Sequence, residues 1–474
     1  MQARPRPAAL AALAGLVLVV AAMLVPLALS DDVRVHFPPL HAWWGPRFKP
    51  LLLVAIALGV ALWLWLPGLS RRLSWGWTVV VATVSGWLWT VALGLSDGRY
   101  GFARVYERKG EYLYDAVRVD DVRATLAGFV DRIPMDAPDN WHVHVAGHPP
   151  GALLSFVGLD RVGIDDPFWV GMAVVTAGAT AVAAVLLTLA ELGSRDVARR
   201  AAPWLVLAPA VVWGGSSGDW YFAAVAAWGL YFLARSAVRG SWPSGVVAGL
   251  LLGWCVFLSY GLVLLGVPAL VVLWLARTWR PLPFAVGGAL VVAATFSALG
   301  FHWWEAYPVL RERYYDGIAS ERAYGYWVWA NVAAWTFTVG LATWAAFPTA
   351  FRAASGAVRA LPGPLRGRVG SAVDERGVAV RAAEGPRDEG VVAEVPGGRR
   401  GEGALALLAG GALTSILLAT LSGMSKAEVE RIWLPFTVWV LTLPALLPDR
   451  WQRPLLASQV VVGVLAQTLL ITRW

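Results

Sequence analysis

Apolar residues arrive in runs of roughly 15–25, the length that carries a helix across a hydrocarbon core. No other feature of this 474-residue chain constrains its fold as strongly. Backbone polar groups inside a bilayer must be satisfied within the segment, so solid runs of this length mean helices. A membrane barrel would instead show short segments of weak alternation. Composition agrees: 58% of residues are hydrophobic and 15% charged, against about 45–50% and 25% in soluble domains. Soluble enzyme, secreted module and disordered protein are excluded. The fold class expected is an all-α polytopic membrane protein of about 11–13 transmembrane helices.

The net charge of +8 comes mainly from arginine in loops between apolar runs, with lysine only at positions 49, 109 and 426. Loop arginine is the mark of cytoplasmic anchoring, so no nucleic-acid partner is needed to explain the charge. The 28 tryptophans lie mostly near run ends, where an amphipathic ring suits the headgroup layer. The single cysteine, Cys255, sits in an apolar run and reads as a small core residue; no internal disulfide can form.

The order of runs predicts five regions. Residues 1–95 carry three spans (about 8–29, 51–66 and 78–95), starting from a cytoplasmic N-terminus behind Arg4 and Arg6. Residues 96–150 form a large extracytoplasmic loop. Its pieces 106–116 and 120–132 have helical apolar spacing and are expected as amphipathic helices on the membrane surface. Residues 151–348 are a central membrane block, with breaks expected near 214–219 and 259–261. Residues 349–402, rich in Gly, Ala, Arg, Glu and Pro, lack the apolar area to offset ordering entropy and read as a disordered cytoplasmic linker. Residues 403–474 are a C-terminal membrane block.

Polar residues at membrane boundaries are costly and are functional candidates by default. Asp97, in Ser96-Asp97-Gly98, stands where the third span emerges; it is a candidate general base or a solvated turn residue. His142, His144 and His148, half of the six histidines, precede Pro149-Pro150. In an extended segment His142 and His144 share a face, so with His148 they offer a divalent-metal site. Alternatively Pro149 begins a helix, His148 caps it, and the helix start receives a phosphate. Or the three are a hydrogen-bonded polar rim. Asp219 follows the breaker Gly214–Gly218 and is expected either to cap the next helix or to reach His148. Lys426 and Arg431 suit a phosphate, with Glu430 orienting Arg431, or belong to an ordinary charged loop. Among the aromatics of 302–327, Trp304 and Tyr324 are candidate sugar contacts or part of an interfacial belt.

Taken in order, these pieces resemble the GT-C superfamily of membrane glycosyltransferases, which includes the protein O-mannosyltransferases and the aminoarabinose transferases. Asp97 stands where that family places its catalytic acid, at the outer end of an early span. His148-Pro149-Pro150 matches its [His/Lys]-Pro-Pro element, and Asp219 resembles its second acid in a later outer turn. The segment 426–435 is similar to one common in bacterial relatives. The resemblance implies a GT-C-like bundle and a polyprenyl-phosphate sugar as donor. It also implies a cell-envelope glycan or glycolipid as acceptor and an active site facing outward from a bacterial inner membrane. Asp97 would be the base; His148, Lys426 and Arg431 would hold the donor phosphate, with Asp219 and Glu430 as supporting acids. A divalent metal is optional, no nucleotide-sugar site is required, and the sequence shows neither a dinucleotide fingerprint nor a P-loop. A transporter or flippase for lipid-linked saccharides, and a non-catalytic envelope-assembly scaffold, are the alternatives.

Overall fold

The computed structural model describes residues 5–29, 32–215, 217–360 and 397–472. Among them, six helices are long and apolar enough to cross a membrane: Pro5–Leu29, Leu51–Arg72, Trp75–Leu95, Pro167–Leu192, Asp219–Arg239 and Arg399–Leu421. A seventh arises if the pair Leu282–Ala298 and Trp303–Asp316, bent by 75°, forms one span. Among the described residues, strand is confined to one antiparallel pair, β1 (Ala42–Trp44) with β2 (Leu470–Thr472), which sets Ala42 opposite Thr472. The chain is an all-α polytopic membrane protein.

The six or seven candidates are fewer than the 11–13 spans expected, and short runs account for part of the difference; the runs 327–347 and 455–471 lie in the longer helices Tyr324–Ala360 and Asp449–Leu469. Ser259 is extended, which separates Trp242–Leu258 from a 3₁₀ segment, Tyr260–Leu265, and the helix Gly266–Ala276. The run near 202–213 is split between Arg195–Val206 and the single turn Val211–Gly214. None of these reaches the ~20 residues that a straight crossing needs. The expected breaks near 214–219 and 259–261 are both present.

Apolar side chains face outward as well as inward. Leu13, Val17 and Leu24 on the first helix, and Leu53 and Val54 on the second, are exposed; hydrocarbon, unlike water, takes such a surface without cost. Inside, small residues set the closest approaches. Gly249 and Gly253 leave no room for a Cβ against Ala285 and Ala289, so Trp242–Leu258 lies backbone-to-backbone on Leu282–Ala298.

The long helix Tyr324–Ala360 is interrupted at Gly340 (φ 67, ψ 165). The carbonyls freed there do not go unpaired. The Ala210 N–H donates to the Thr338 carbonyl at 3.0 Å, and Gln459 Nε2 donates to the Val339 carbonyl at 2.9 Å. Irregular backbone at depth is tolerable when protein supplies such partners.

The ends of the expected 349–402 linker are helical. Ala353, Ala354 and Ala357 carry the long helix to Ala360, and Gly397–Leu421 begins before position 402. Residues 361–396 lie outside the described residues, so the expectation of disorder is untouched there.

The helices alternate in direction, and this sorts charge between the two ends of the bundle. One end gathers Arg71, Arg199, Arg200 and Arg239. Arg199 Nη1 caps the end of the second helix by donating to the Ser70 and Leu73 carbonyls, each at 2.6 Å, and Arg71 pairs with Asp449 at 2.8 Å. The other end receives the segment 96–150. The helical spacing predicted there is realised as short helices, Tyr100–Tyr106, Tyr112–Ala116 and Val122–Ala127. Their apolar side does not lie open for lipid. Leu126, Phe129 and Ile133 are fully buried, with Phe129 packed on Trp141 and Phe301 at ring separations of 5.2 and 5.5 Å.

Candidate functional site

Two buried charge clusters occupy the end of the bundle that carries segment 96–150. The first surrounds Asp97. The third helix ends at Leu95, and Gly98 (φ 74) takes the left-handed turn that starts Tyr100–Tyr106. Asp97 is held in this turn with its side chain 6% exposed. Arg47 Nη1 pairs with Asp97 Oδ2, and Lys49 Nζ stands 3.5 Å from Oδ1. Arg47 is in turn anchored to the C-terminal strand pair: its Nη2 donates to the Gln467 and Leu470 carbonyls at 3.0 and 2.6 Å. Asp97, Arg47, Arg104, Gln467 and Thr472 line a pocket of about 20 Å³, room for a water molecule or one phosphate oxygen. Burial, then the charges of Arg47 and Arg108, push the Arg104 guanidinium below its ordinary value, and Asp97 only partly opposes them. Arg47 and Arg104 thus line the pocket together with the Asp97 carboxylate.

The second cluster centres on Arg431. Its Nη1 donates to Asp219 Oδ2 at 2.7 Å, and its Nη2 to Glu428 Oε2 at 2.8 Å. Nη2 also meets His144 Nε2 at 3.3 Å. An imidazole nitrogen facing a guanidinium must accept, so the His144 proton sits on Nδ1, which faces Glu111 Oε1 at 2.8 Å. On the far side Glu428 meets His41 Nδ1 at 3.1 Å and Arg322 at 3.6 Å. Burial alone would raise the Glu428 carboxyl, but His41, Arg431 and Arg322 hold it well below the ordinary range. Burial likewise opposes the charge on Arg431, and Asp219 and Glu428 more than restore it.

Backbone strain shapes this loop. Ala427 and Glu428 are consecutive non-glycine residues at φ 67 and 64, a conformation costing roughly 1–2 kcal/mol per residue. Asn331, fully buried on the long helix, holds them: its Oδ1 accepts from the Ala427 N–H at 3.1 Å, and its Nδ2 donates to Thr420 Oγ1 and the Ser425 carbonyl.

These geometries redistribute the roles read from sequence. His148, Asp219 and Arg431 do converge with His144, whereas Asp97 belongs to the separate pocket. The helix after His148 is Pro150–Arg161 with Pro149 as its cap, so His148 stands one position outside the cap expected of it. It is half-buried, and its Nδ1–H donates to the His144 carbonyl, 2.8 Å away. Burial pushes its pKa down to about 4, with Asp219 opposing. It is therefore neutral near pH 7 and brings no charge to a phosphate.

Asp219 does not cap its helix. Gly218 holds the cap position, Ser217 Oγ accepts from the Asp219 N–H, and the carboxylate turns to Arg431; Ser216 lies outside the described residues. Arg431, set between two carboxylates, has no surplus charge for an anion. Lys426 Nζ donates to the Ala319 carbonyl at 2.8 Å. Glu430 does not orient Arg431; Glu428 does, because the left-handed pair turns Glu428 towards the guanidinium. Glu430 instead accepts from the His41 N–H at 3.2 Å.

Residues 143–146 form a helical turn rather than an extended segment. His142 pairs with Asp115 at 2.9 Å while His144 takes Glu111 and Arg431, so the three imidazoles do not form one ligand set. Among the described residues no group of three or more His, Cys, Asp or Glu is arranged to hold a metal ion. Trp304 and Tyr324 are exposed, and neither lines the Asp97 pocket. Sequence reading missed Arg47, Arg104, Gln467, His41 and Glu111. None left a signal in the sequence: Glu111 stands at the cap of Tyr112–Ala116 and meets His144 only in the folded chain.

Glu430 is 1% exposed, and its Oε2 has no hydrogen-bond partner. Burial raises its pKa to about 7, with Glu428 adding to the rise. A folded pKa above the unfolded ~4.3 means the folded chain keeps a proton that the unfolded chain loses. Stability is thus lost as pH climbs from about 4.5 to about 7, by on the order of 3 kcal/mol. Glu430→Gln mimics the protonated form, so its unfolding temperature should exceed that of the parent at pH 8 and converge with it near pH 5. Parallel curves across that range would refute the assignment.

Compared with models of known protein families, with curated proteins and with solved structures, the chain matches none.

Proposed function

We propose that this chain is a membrane glycosyltransferase of the GT-C kind. It moves a sugar from a polyprenyl-phosphate donor to a cell-envelope glycan or glycolipid. The observation that carries the reading is the Asp97 pocket: one carboxylate at a helix end, beside the guanidinium groups of Arg47 and Arg104. Transfer from a phosphate-linked sugar needs both parts. Asp97 takes the proton of an acceptor hydroxyl, whose oxygen attacks the anomeric carbon. The bond from that carbon to the phosphate oxygen breaks, and Arg47, Lys49 and Arg104 hold the negative charge left on the polyprenyl phosphate. The Arg431 cluster, with its charges internally compensated, clamps segment 96–150 to the 426–433 loop beside this pocket.

Sidedness follows from charge. The arginine-rich opposite end suits the cytoplasm, which turns the Asp97 end outward from a bacterial inner membrane and makes segment 96–150 extracytoplasmic. The break at Gly340 favours a second reading, a flippase for lipid-linked saccharides, since broken helices are common in transporters. The transferase reading stands ahead of it because Ala210 and Gln459 already occupy the carbonyls exposed at that break.

The test is transfer by purified protein in liposomes containing polyprenyl-phosphate sugar. Asp97→Asn should lower the rate about a hundredfold or more, measured per folded molecule because the variant also loses a buried ion pair. Full activity in that variant removes Asp97 as base. Lipid movement across the bilayer without any transfer supports the flippase.

A further inference from the structure

We infer that the helix Trp303–Asp316 lies flat in the lipid headgroup layer, with Trp304, Pro308, Arg311 and Tyr315 turned to the lipid. The bent pair is then one crossing helix followed by an interfacial one. This placement holds whether the chain transfers sugar, moves lipid or does neither.

The bend comes first. Leu282–Ala298 has 17 residues, about 25 Å of helix against a hydrocarbon core of ~30 Å. The next helix turns away from it by 75°. Its 14 residues therefore climb only about 5 Å further along the direction of the first. They include Glu305, Arg311, Glu312, Arg313 and Asp316, and each such charge is costly at bilayer depth.

The surface of the helix divides into three sides. Ala306 and Leu310 are buried against the bundle. Trp303, on the same side, stacks on Tyr307 at 5.4 Å and donates from Nε1 to the Val256 carbonyl at 3.2 Å. The exposed remainder splits lengthwise. Trp304, Pro308, Arg311 and Tyr315 follow spacings of four, three and four, so they form one line along the helix. Glu305, Glu312 and Asp316 each directly follow a member of that line and form a second, about 100° around. Protein takes the first side. Headgroups suit the second, because Trp and Tyr rings settle at that level and an arginine stem reaches its phosphates. Water takes the acidic third. A helix sided in this way belongs in the plane of an interface.

Continuity names the occupant. On the crossing helix Leu290, Ala294 and Ala298 are exposed at spacings of four, a lipid-facing line that leads to the bend. Beyond it Trp304, 63% exposed, and Ile318, 50% exposed, carry the apolar surface on. An exposed apolar strip that continues a lipid-covered one has lipid as its partner. Arg313 donates to the Ile133 and Trp141 carbonyls, so the same helix ties segment 96–150 to the headgroup level.

Spin labels read this placement in the full chain, reconstituted in phosphatidylcholine vesicles. The variants are Trp304→Cys, Pro308→Cys, Arg311→Cys and Tyr315→Cys on one line, with Glu305→Cys, Glu312→Cys and Asp316→Cys on the other. All seven positions are exposed, so the labels leave the packing intact. The native Cys255 is buried and takes no label in the folded chain, which the parent verifies. Leu290→Cys gives the reference for a lipid-covered site. Each label is relaxed by oxygen, which concentrates in lipid, and by a nickel chelate confined to water.

The first line should respond to oxygen and be shielded from nickel, with depths at 304 and 315 that differ by only about 4 Å. The acidic line should be open to nickel. A depth difference of about 16 Å, the full rise between those positions, would mean that the helix crosses the bilayer and would overturn the placement. Equal nickel access on both lines overturns it too, because water or an aqueous glycan then faces the strip. So does exclusion of both reagents from the strip, which would mean that a second copy or another protein covers it.

Discussion

Replacing Arg431 with methionine should cost the folded chain about 3–5 kcal/mol, the penalty for leaving buried charges without their partner. Arg431 is 7% exposed and Asp219 6%, so water cannot take over the lost contacts. Asp219, on the first turn of a spanning helix, would retain only the Ser217 hydroxyl at 2.6 Å. Glu428 would keep His41 and Arg322 but lose its closest cation. His144 would lose a donor at Nε2 and, with it, part of what orients segment 96–150. The measurement is unfolding temperature in detergent. The control is a triple variant in which Asp219→Asn and Glu428→Gln accompany Arg431→Met. If uncompensated charge is the cause, the triple variant recovers most of the loss. An unchanged unfolding temperature in the single variant would show that the cluster does not hold the loops together.

Gly340→Ala should be comparably damaging, by about 3 kcal/mol or more, for two separate reasons. At φ 67 and ψ 165 the backbone lies in a region essentially reserved for glycine, where other residues carry roughly 1–3 kcal/mol of strain. A Cβ there would also overlap the Gln459 carboxamide, with Cδ at 2.7 Å. Gln459 cannot swing aside cheaply, because it is buried and its Nε2 is committed to the Val339 carbonyl. Pushing it away would cost that carbonyl one of its two side-chain donors, leaving the Thr343 hydroxyl at 2.8 Å. Gln459→Ala combined with Gly340→Ala removes the overlap and leaves the strain, so the double variant separates the two contributions. A Gly340→Ala chain as stable as the parent would mean that the helix straightens through this position.

Much of the fold was readable because lipid imposes a strict rule on the chain. Runs of apolar residues must be helical, and Gly, Ser and Pro clusters must interrupt them; the breaks at 214–219 and 259–261 follow from residues seen directly. Gly340 was not readable, since a single glycine in an apolar run carries no mark of the φ it will adopt. The short runs were over-counted as spans for a related reason: apolar composition says that a segment is buried, not whether lipid or protein buries it.

The site divides in the same way. Sequence pointed to Asp97, His148, Asp219 and Arg431 as polar residues at membrane boundaries, where exposure to lipid makes any charge conspicuous. It could not show that Arg431 is neutralised by Asp219 and Glu428, nor that Arg47, fifty positions from Asp97, covers that carboxylate. Pairing of this kind depends on which helices lie side by side, a matter of side-chain volume and small-residue contacts spread along the whole bundle. The amino-acid order alone determined that the chain is a helical membrane protein with its chemistry-bearing residues at helix ends, because the transfer cost of polar groups into hydrocarbon acts on each segment separately. Only the tertiary structure decided which of those residues pair with which, because Coulomb interactions act between segments and are set by distance.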